Sequence, residues 1–399
     1  MNPIKRLYCR TFQTAFRLAL PVLPYRKPHT VSSVRKLPDI LCAHGCRHVL
    51  IITDPGIAKL GLTRALKEAL ANGQIAFTIY NKTVANPTSS QVEEVRGIYL
   101  LKGCDAIIGF GGGSSMDCAK AVGARIACPR KSLARMEGIL RVRRRLPLLI
   151  AVPTTAGTGS ETTLAAVITD SRTRHKYAIS DFPLIPRYAV LDPRLTVSLP
   201  PSITATTGLD ALTHAVEAYI GNSTTRDTRQ AALQAVRLIF ANLNRAYHSG
   251  ADLRARRNML VASFYAGYAF NKSYVGYIHA VAHSLGGEYG TPHGLANAVL
   301  LPYFLEAYGS AIHRKLHYLA VAAGLADLDT PDAVAAGSFI QAIRDMQRRF
   351  RIPDTLPEIC LSDIPRLARH ADREANPLYP VPVLMDAREL EKFYHQIAQ

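Results

Sequence analysis

Between residues 47 and 192, short apolar runs rich in β-branched residues alternate with stretches of helical periodicity; beyond about residue 200 the alternation stops. The runs Arg47–Thr53, Ala76–Tyr80, Asp105–Phe110, Pro147–Val152 and Tyr188–Asp192 read as buried strands. Helical patterns lie between them, over 57–72, closed by Gly73, and over 88–102, closed by Gly103. Strand–helix–strand order requires crossovers, so it predicts a parallel, Rossmann-like sheet with helices on both faces. From there on, 203–220, 226–248, 251–271, 275–287, 294–308, long stretches of 310–350, and 386–397 all read as helices. The expected fold is an α/β N-terminal domain, residues 39–200, followed by an all-helical domain, residues 201–399. The two join near Leu199-Pro200-Pro201, behind a basic N-terminal extension of residues 1–38.

A chain of 399 residues exceeds one ordinary core, and its 48% apolar and 20% charged residues are those of a globular protein. Seven cysteines, an odd and irregularly spaced set, fit a reduced, cytoplasmic setting better than a secreted one. Cys42, His44, Cys46 and His48 lie close in sequence but match no usual zinc spacing. The net charge of +18 raises the question of nucleic acid or an anionic membrane. Much of it sits in residues 1–38, which hold eight Lys or Arg and no acid, and in Arg141, Arg143, Arg144 and Arg145. No aromatics interleave with that arginine run and no nucleic-acid signature is present, so no nucleic-acid partner is expected. Residues 4–20 are too broken by Arg17 for a secretory signal and too short for a membrane span. They suit an amphipathic helix that docks on the domain, a partner chain or a membrane surface, and they share the Arg-rich, acid-poor character of a transit peptide.

Two loops follow strands where parallel sheets bind ligands. Gly109-Phe-Gly-Gly-Gly-Ser-Ser-Met-Asp117 lets backbone approach a pyrophosphate at a helix N-terminus. Ser114 is expected to cap that helix, with Asp117 completing a capping box; Ser114 also stands where the dinucleotide fingerprint would have its third glycine. Pro153-Thr-Thr-Ala-Gly-Thr-Gly-Ser-Glu161 supplies hydroxyls and small residues. Asp54, at the end of the first strand, can accept from ribose hydroxyls and would repel a 2′-phosphate, which favours NAD over NADP; the plainer alternative is an Asp-Pro turn with Pro55.

The sharpest signal lies in the helical half. Asp210 and His214 are four residues apart, as are His279 and His283, so each pair shares a helix face; His293 opens a further helix. Imidazoles with one carboxylate, set in apolar helices, suit divalent iron or zinc.

These residues resemble the iron-containing, or group III, alcohol dehydrogenases. The resemblance is carried by Gly109–Asp117, Pro153–Glu161, Gly208–Glu217, His279–Asn297, Gly286, Pro292 and Ala298–Pro302. It covers roughly residues 30–399, with 147–303 especially similar to lactaldehyde (propanediol) reductases. It implies a dehydroquinate synthase-like two-domain architecture with the active site in the interdomain cleft, and hydride transfer between NAD(H) and a small alcohol or aldehyde. Metal ligation by Asp210, His214, His279 and His293 is implied, with Fe(II) or Zn(II) as the ion. His283 would lie beside the metal as a catalytic proton relay. Cofactor contacts are implied for Asp54, Asn86, Gly112, Gly113, Ser114, Asp117, Thr154, Thr155, Thr158 and Lys176. Two departures bear on the substrate: the basic extension, and Ala165 where the most similar reductases tend to carry a polar residue. Alternatives are a zinc-dependent glycerol or polyol dehydrogenase, a dehydroquinate synthase (whose set of basic residues the cleft segment lacks), and a non-catalytic basic protein that binds membrane or nucleic acid. A homodimer or larger homo-oligomer is expected on general grounds.

Overall fold

The computed structural model describes residues 1–173 and 175–398. The chain forms two compact units, Pro24–Ser198, and Met1–Leu23 with Leu199–Gln399. Residues 1–38 are divided between them: helix α1 (Pro3–Ala19) belongs with the helical unit, and residues 24–38 belong with the α/β unit.

The α/β unit runs β1 (His29–Val31), α2 (Leu37–Ala43), β2 (His48–Ile52), α3 (Pro55–Lys59), α4 (Arg64–Asn72), β3 (Ala76–Tyr80), α5 (Ser89–Leu101), β4 (Ala106–Gly111), α6 (Gly113–Ala127), β5 (Gly138–Ile139), β6 (Leu148–Pro153), β7 (Ala165–Thr169), β8 (Lys176–Ser180) and β9 (Tyr188–Val190). Six strands form one parallel sheet in the order β1-β9-β6-β4-β2-β3. Alternate side chains feed two cores. Leu50, Ile52, Ile107 and Leu149 pack with α5 and α6, whereas Val49, Ile51, Ile108 and Ile150 pack with α2 and α4. Burial on both faces explains why these strands read as continuous apolar runs.

Three features depart from the sequence reading. The single helix expected over 57–72 is two, α3 and α4, because the chain turns through Gly61 at φ 66°. The short edge strand β1 was not expected. A second, three-stranded sheet, β5-β8-β7, was also not expected; it pairs β7 with β8 antiparallel and packs β7 against α6.

The helical unit contains α7 (Pro201–Ile220), α8 (Arg226–His248), α9 (Leu253–Ser273), α10 (Tyr277–Glu288), α11 (His293–Tyr308), α12 (His313–Ala323), α13 (Asp332–Arg349), α14 (Ile364–Ala375) and α15 (Ala387–Ile397). Helix α7 is buried throughout Gly208–Ile220 and packs against α8, α9 and α11. The stretch 310–350 resolves into α12 and α13, with Pro331 as the cap that opens α13. Helix α14 escaped the sequence reading. Pro365 resembles a breaker, but it stands in the first turn, where its missing N–H would have had no partner. No helix among the described residues is long and apolar enough to cross a membrane.

Helix α1 is bound to the C-terminal segment by its polar residues. The Met1 ammonium meets Asp386 at 2.9 Å and Glu389 at 3.1 Å, and Lys5 meets Asp372 at 2.7 Å. Arg10 donates to the carbonyls of Val381 and Pro382, and Gln13 to those of Tyr379 and Pro377.

Candidate functional site

In the helical unit, α7 brings Asp210 and His214 to one face, α10 supplies His279, and α11 begins at His293. One ligand atom from each of the four lies within 4.8 Å of all the others. Asp210 Oδ1 is the hub: it is 3.5 Å from His293 Nε2 and 3.9 Å from both His279 Nε2 and His214 Nδ1. Asp210, His214 and His279 are buried, and the His293 side chain is 38% exposed, so the cluster is open on one side. Phe270 stacks on His214 at 4.2 Å and fixes its plane.

The surrounding groups orient the ligands. Glu217, one turn beyond His214, receives Ile278 N–H on Oε1 at 3.0 Å and His279 Nδ1 on Oε2 at 2.5 Å. With Nδ1 as the donor, the tautomer assigned from these partners, His279 Nε2 keeps its lone pair. That atom is buried, makes no hydrogen bond, and faces Asp210. An orphaned buried acceptor is costly unless something electrophilic meets it, and a divalent cation fits these donors. Burial holds the His279 imidazole well below its ordinary pKa, helped by His214, His293 and His283, so it is in the neutral form that ligates. Burial also pushes the Glu217 carboxyl up to about 8, against the pull of backbone N–H groups; a dication in the cluster would reverse that push. Asn297 donates to Asp210 Oδ1 at 2.8 Å and lies 3.1 Å from His293 Nε2.

Two glycines make this closeness feasible. A Cβ at Gly276 would lie 2.5 Å from Glu217 Oε1, and one at Gly294 would lie 2.7 Å from the Thr206 carbonyl, prising the start of α11 from α7.

His283, one turn beyond His279, lies beside the cluster and stacks on His293 with ring centroids 5.1 Å apart. Its Nδ1 meets Glu374 Oε1 at 2.6 Å, and that oxygen also accepts from Tyr379 Oη at 2.7 Å. Burial pushes the Glu374 carboxyl up, but the His283 and Tyr379 contacts outweigh it and hold it below its usual range.

In the α/β unit the two glycine- and hydroxyl-rich loops lie side by side. Thr154 N–H donates to Gly111 O at 3.0 Å. A Cβ on Gly112 would come within 3.9 Å of Thr155, and one on Gly113 within 3.4 Å of Thr158. Thr155 Oγ1 is buried and makes no hydrogen bond. The capping box expected of Ser114 and Asp117 is absent. Helix α6 begins earlier, with Gly112 as its cap, so Ser114 falls in the first turn. Asp117 turns away from the helix start, accepting Ser160 Oγ at 2.9 Å and Val167 N–H at 3.2 Å. Burial raises its pKa despite the opposing pull of Lys120, its own hydrogen bonds and Lys176, whose side chain is exposed at the start of β8.

Asp54 is the N-cap of α3: Oδ1 accepts Ile57 N–H at 3.0 Å, and Oδ2 lies 3.4 Å from Ser115 Oγ. It therefore has a structural duty, with Oδ2 turned toward the glycine loop. Asn86 is exposed in the loop before α5, with φ 56°.

Lys120 was not singled out in the sequence. It is fully buried in α6 and donates to Ser160 Oγ, Thr163 Oγ1 and Ala165 O at 3.1, 2.7 and 2.9 Å. It ties α6 to the end of the hydroxyl-rich loop and to the start of β7. Burial lowers its pKa to about 8, and burial raises that of Glu161 to about 7. Glu217 lay inside the metal motif but had no assigned role; Asn297 and Glu374 were likewise unassigned. Their partners are distant in sequence, Glu374 being 91 residues from His283.

Comparison with known proteins gives the family of the chain. The family model for iron-containing alcohol dehydrogenase matches residues 29–193, and the model for the C-terminal part of the Fe-containing alcohol dehydrogenase family matches residues 204–398. The 1,3-propanediol dehydrogenase of Klebsiella pneumoniae is 36% identical over 367 residues, 90% of this chain and 93% of that protein. The NAD-dependent methanol dehydrogenase of Bacillus methanolicus is 35% identical, over 85% of this chain and 89% of its own. The crystal structure of a 1,3-propanediol oxidoreductase superposes with a TM-score of 0.89 at 33% identity, covering 94% of this chain and 98% of that one. The zinc-dependent polyol alternative is not supported by these matches.

Proposed function

The chain belongs to the iron-containing alcohol dehydrogenase family, and on that footing we propose that it exchanges hydride between NAD(H) and a small alcohol or aldehyde, with Fe(II) held by Asp210, His214, His279 and His293. The observation that carries this is the four-residue cluster, buried at Asp210, His214 and His279, in which Glu217 aims the His279 lone pair at Asp210. When bound, the iron supplies Lewis acidity toward the alcohol oxygen and the nicotinamide supplies the hydride acceptor. One carboxylate against three neutral imidazoles leaves a dicationic site with a net positive charge, which lowers the proton affinity of an oxygen brought to its open side.

The chain's own groups do the rest. His283, outside the ligand set and half-exposed beside it, takes the proton released from the alcohol; Glu374 accepts its Nδ1–H and holds the ring in place. The N-terminus of α6, with Gly112, Gly113 and Ser114, receives the pyrophosphate, and Thr154, Thr155 and Thr158 offer the facing hydroxyls. Asp54 Oδ2 and Asn86 serve the adenosine side, and Asp117 and Lys176 the nicotinamide side. A carboxylate at Asp54 favours NAD over NADP, in keeping with the NAD-dependent methanol dehydrogenase relative. Short alcohols and diols are the substrate class, as the names of the relatives suggest. The free cysteines fit a reducing, cytoplasmic setting, and we assign a homodimer or larger homo-oligomer as the working form.

The test is NADH formation by purified protein, stripped of metal and reloaded anaerobically with Fe(II) or Zn(II), on methanol, ethanol, butanol, 1,2- and 1,3-propanediol and glycerol. Iron-dependent activity on short alcohols or diols supports the proposal. Metal-independent activity, or failure to bind NADH, overturns it.

A further inference from the structure

Helix α1 lies ahead of both ranges that the family models match, yet two chains of contacts lead from it to His283. Gln13, 3% exposed, donates from Nε2 to the Tyr379 carbonyl at 2.7 Å, and Arg10 holds the following residues at the Val381 and Pro382 carbonyls. From there the Tyr379 side chain reaches back to α14. Its hydroxyl donates to Glu374 Oε1 at 2.7 Å, and the same oxygen meets His283 Nδ1 at 2.6 Å. The second chain runs through rings. Phe16 of α1 meets Tyr274 edge-on with centroids 5.1 Å apart, and Tyr274 lies 6.2 Å from the Tyr379 ring. Tyr274 has φ 60° and ψ 177°, a conformation that is costly for any residue with a side chain and persists only where the surroundings hold it. It stands two residues before Gly276, the cap of α10, the helix that carries His279 and His283.

We infer that Tyr379 is a positioning residue for His283, acting through the Glu374 carboxylate, and that α1 sets its place through Gln13 and Phe16. The inference rests on the proton-relay role given to His283 above. The Glu374 side chain is 35% exposed, and the last torsion of a glutamate is broad, so by itself the carboxylate can turn and offer either oxygen to the ring or to water. The Tyr379 hydroxyl takes the second lone pair of Oε1 and fixes that oxygen in front of His283 Nδ1. With the ring proton on Nδ1, the tautomer assigned from these partners, His283 Nε2 keeps the lone pair that receives the alcohol proton. Without the hydroxyl, the carboxylate is free to turn and the imidazole to rotate or exchange tautomers, so fewer molecules hold Nε2 ready. Helix α1 thus serves the relay without touching the reacting atoms.

Tyr379→Phe removes the hydroxyl and keeps the ring and the backbone carbonyl. In the full-length, iron-loaded protein, single-turnover NADH formation on the best substrate of the alcohol panel should slow on the order of tenfold, with KM for the alcohol and bound Fe(II) unchanged. His283→Ala should slow it on the order of a hundredfold, and Tyr379→Phe added to it should change nothing more, because no ring remains to position. Gln13→Leu should slow the step less than Tyr379→Phe does and add nothing to it. A second readout needs neither metal nor alcohol: the nuclear magnetic resonance spectrum of metal-free protein with isotopically labelled histidine. The His283 signals, assigned by their loss in His283→Ala, should show one Nδ1–H tautomer in the wild type and a mixture in Tyr379→Phe. An unchanged His283 spectrum in a folded Tyr379→Phe protein would overturn the inference. So would a Tyr379→Phe effect of equal size with and without His283, which is what a purely structural loss gives. A His283→Ala enzyme as fast as the wild type would refute the relay reading and the inference together.

Discussion

Replacing Glu217 with glutamine isolates what one buried carboxylate does for the metal cluster. Glu217 is fully enclosed and accepts at both oxygens, from Ile278 N–H and from His279 Nδ1. Glutamine has nearly the same shape but one acceptor and one donor end. If its oxygen stays with the backbone N–H, its amide N–H₂ faces His279 Nδ1 and drives the ring proton to Nε2, the atom that must ligate. If the amide flips, two donors oppose each other in a buried site. Either way the cluster loses a ready lone pair. Loss of such an orienting partner costs about 10–100-fold in metal affinity, which corresponds to about 1.4–2.8 kcal/mol. The assay is anaerobic competition for Fe(II) against a chelator of known affinity, with circular dichroism to confirm folding. Glu217→Asp, which retains a carboxylate but shortens its reach, should fall between the two. Unaltered affinity in a folded Glu217→Gln protein would refute the assigned tautomer and the orienting role.

Other expectations follow from the same geometry. Gly294→Ala places a Cβ 2.7 Å from Thr206 O, so it should cost about 1–3 kcal/mol of stability and lower metal occupancy; a fully metallated, equally stable variant would contradict the close approach. Gly112→Val fills the space facing Thr155 and should weaken NADH binding by about tenfold or more at unchanged metal content, as read by NADH fluorescence. Gln13→Leu leaves the Tyr379 and Pro377 carbonyls without their donor and should cost about 1–3 kcal/mol in denaturant unfolding. For Lys120, burial lowers the folded pKa to about 8 from 10.5, so above pH 8 the folded lysine has lost a proton that the unfolded one still holds. Stability attributable to it therefore rises with pH between those values, by up to about 3 kcal/mol, and Lys120→Met should remove the rise; parallel pH curves for the two proteins would count against it.

The four-residue cluster was legible because helical periodicity is itself a distance rule. Asp210 with His214, and His279 with His283, are each one turn apart on helices too apolar to leave four polar groups unexplained. Glu217 obeyed the same rule within the same motif, yet nothing local disclosed that its partner stood 62 residues away on α10. Lys120 had the same problem, since its acceptors lie 40 to 45 residues downstream in another loop. The α/β alternation identified the main sheet, but β7 and β8 are five residues each, buried only at alternate positions and begun or ended by Thr169, Lys176 and Ser180, so their strand signal was weak. Helix α1 shows the opposite limit. Its amphipathic pattern was plain, and the usual inference from pattern to burial has the wrong sign, because hydrogen bonds and ion pairs decide which side faces the protein.

The central claim is that Asp210, His214, His279 and His293 hold the metal on which alcohol oxidation depends. The most direct test measures bound Fe(II) and NADH formation together in the metal-stripped, reloaded wild-type protein and in Asp210→Ala. The account predicts that the wild type recovers both and that Asp210→Ala, still folded and still binding NADH, recovers neither. Equal activity in the two proteins, or wild-type turnover without bound metal, would contradict it.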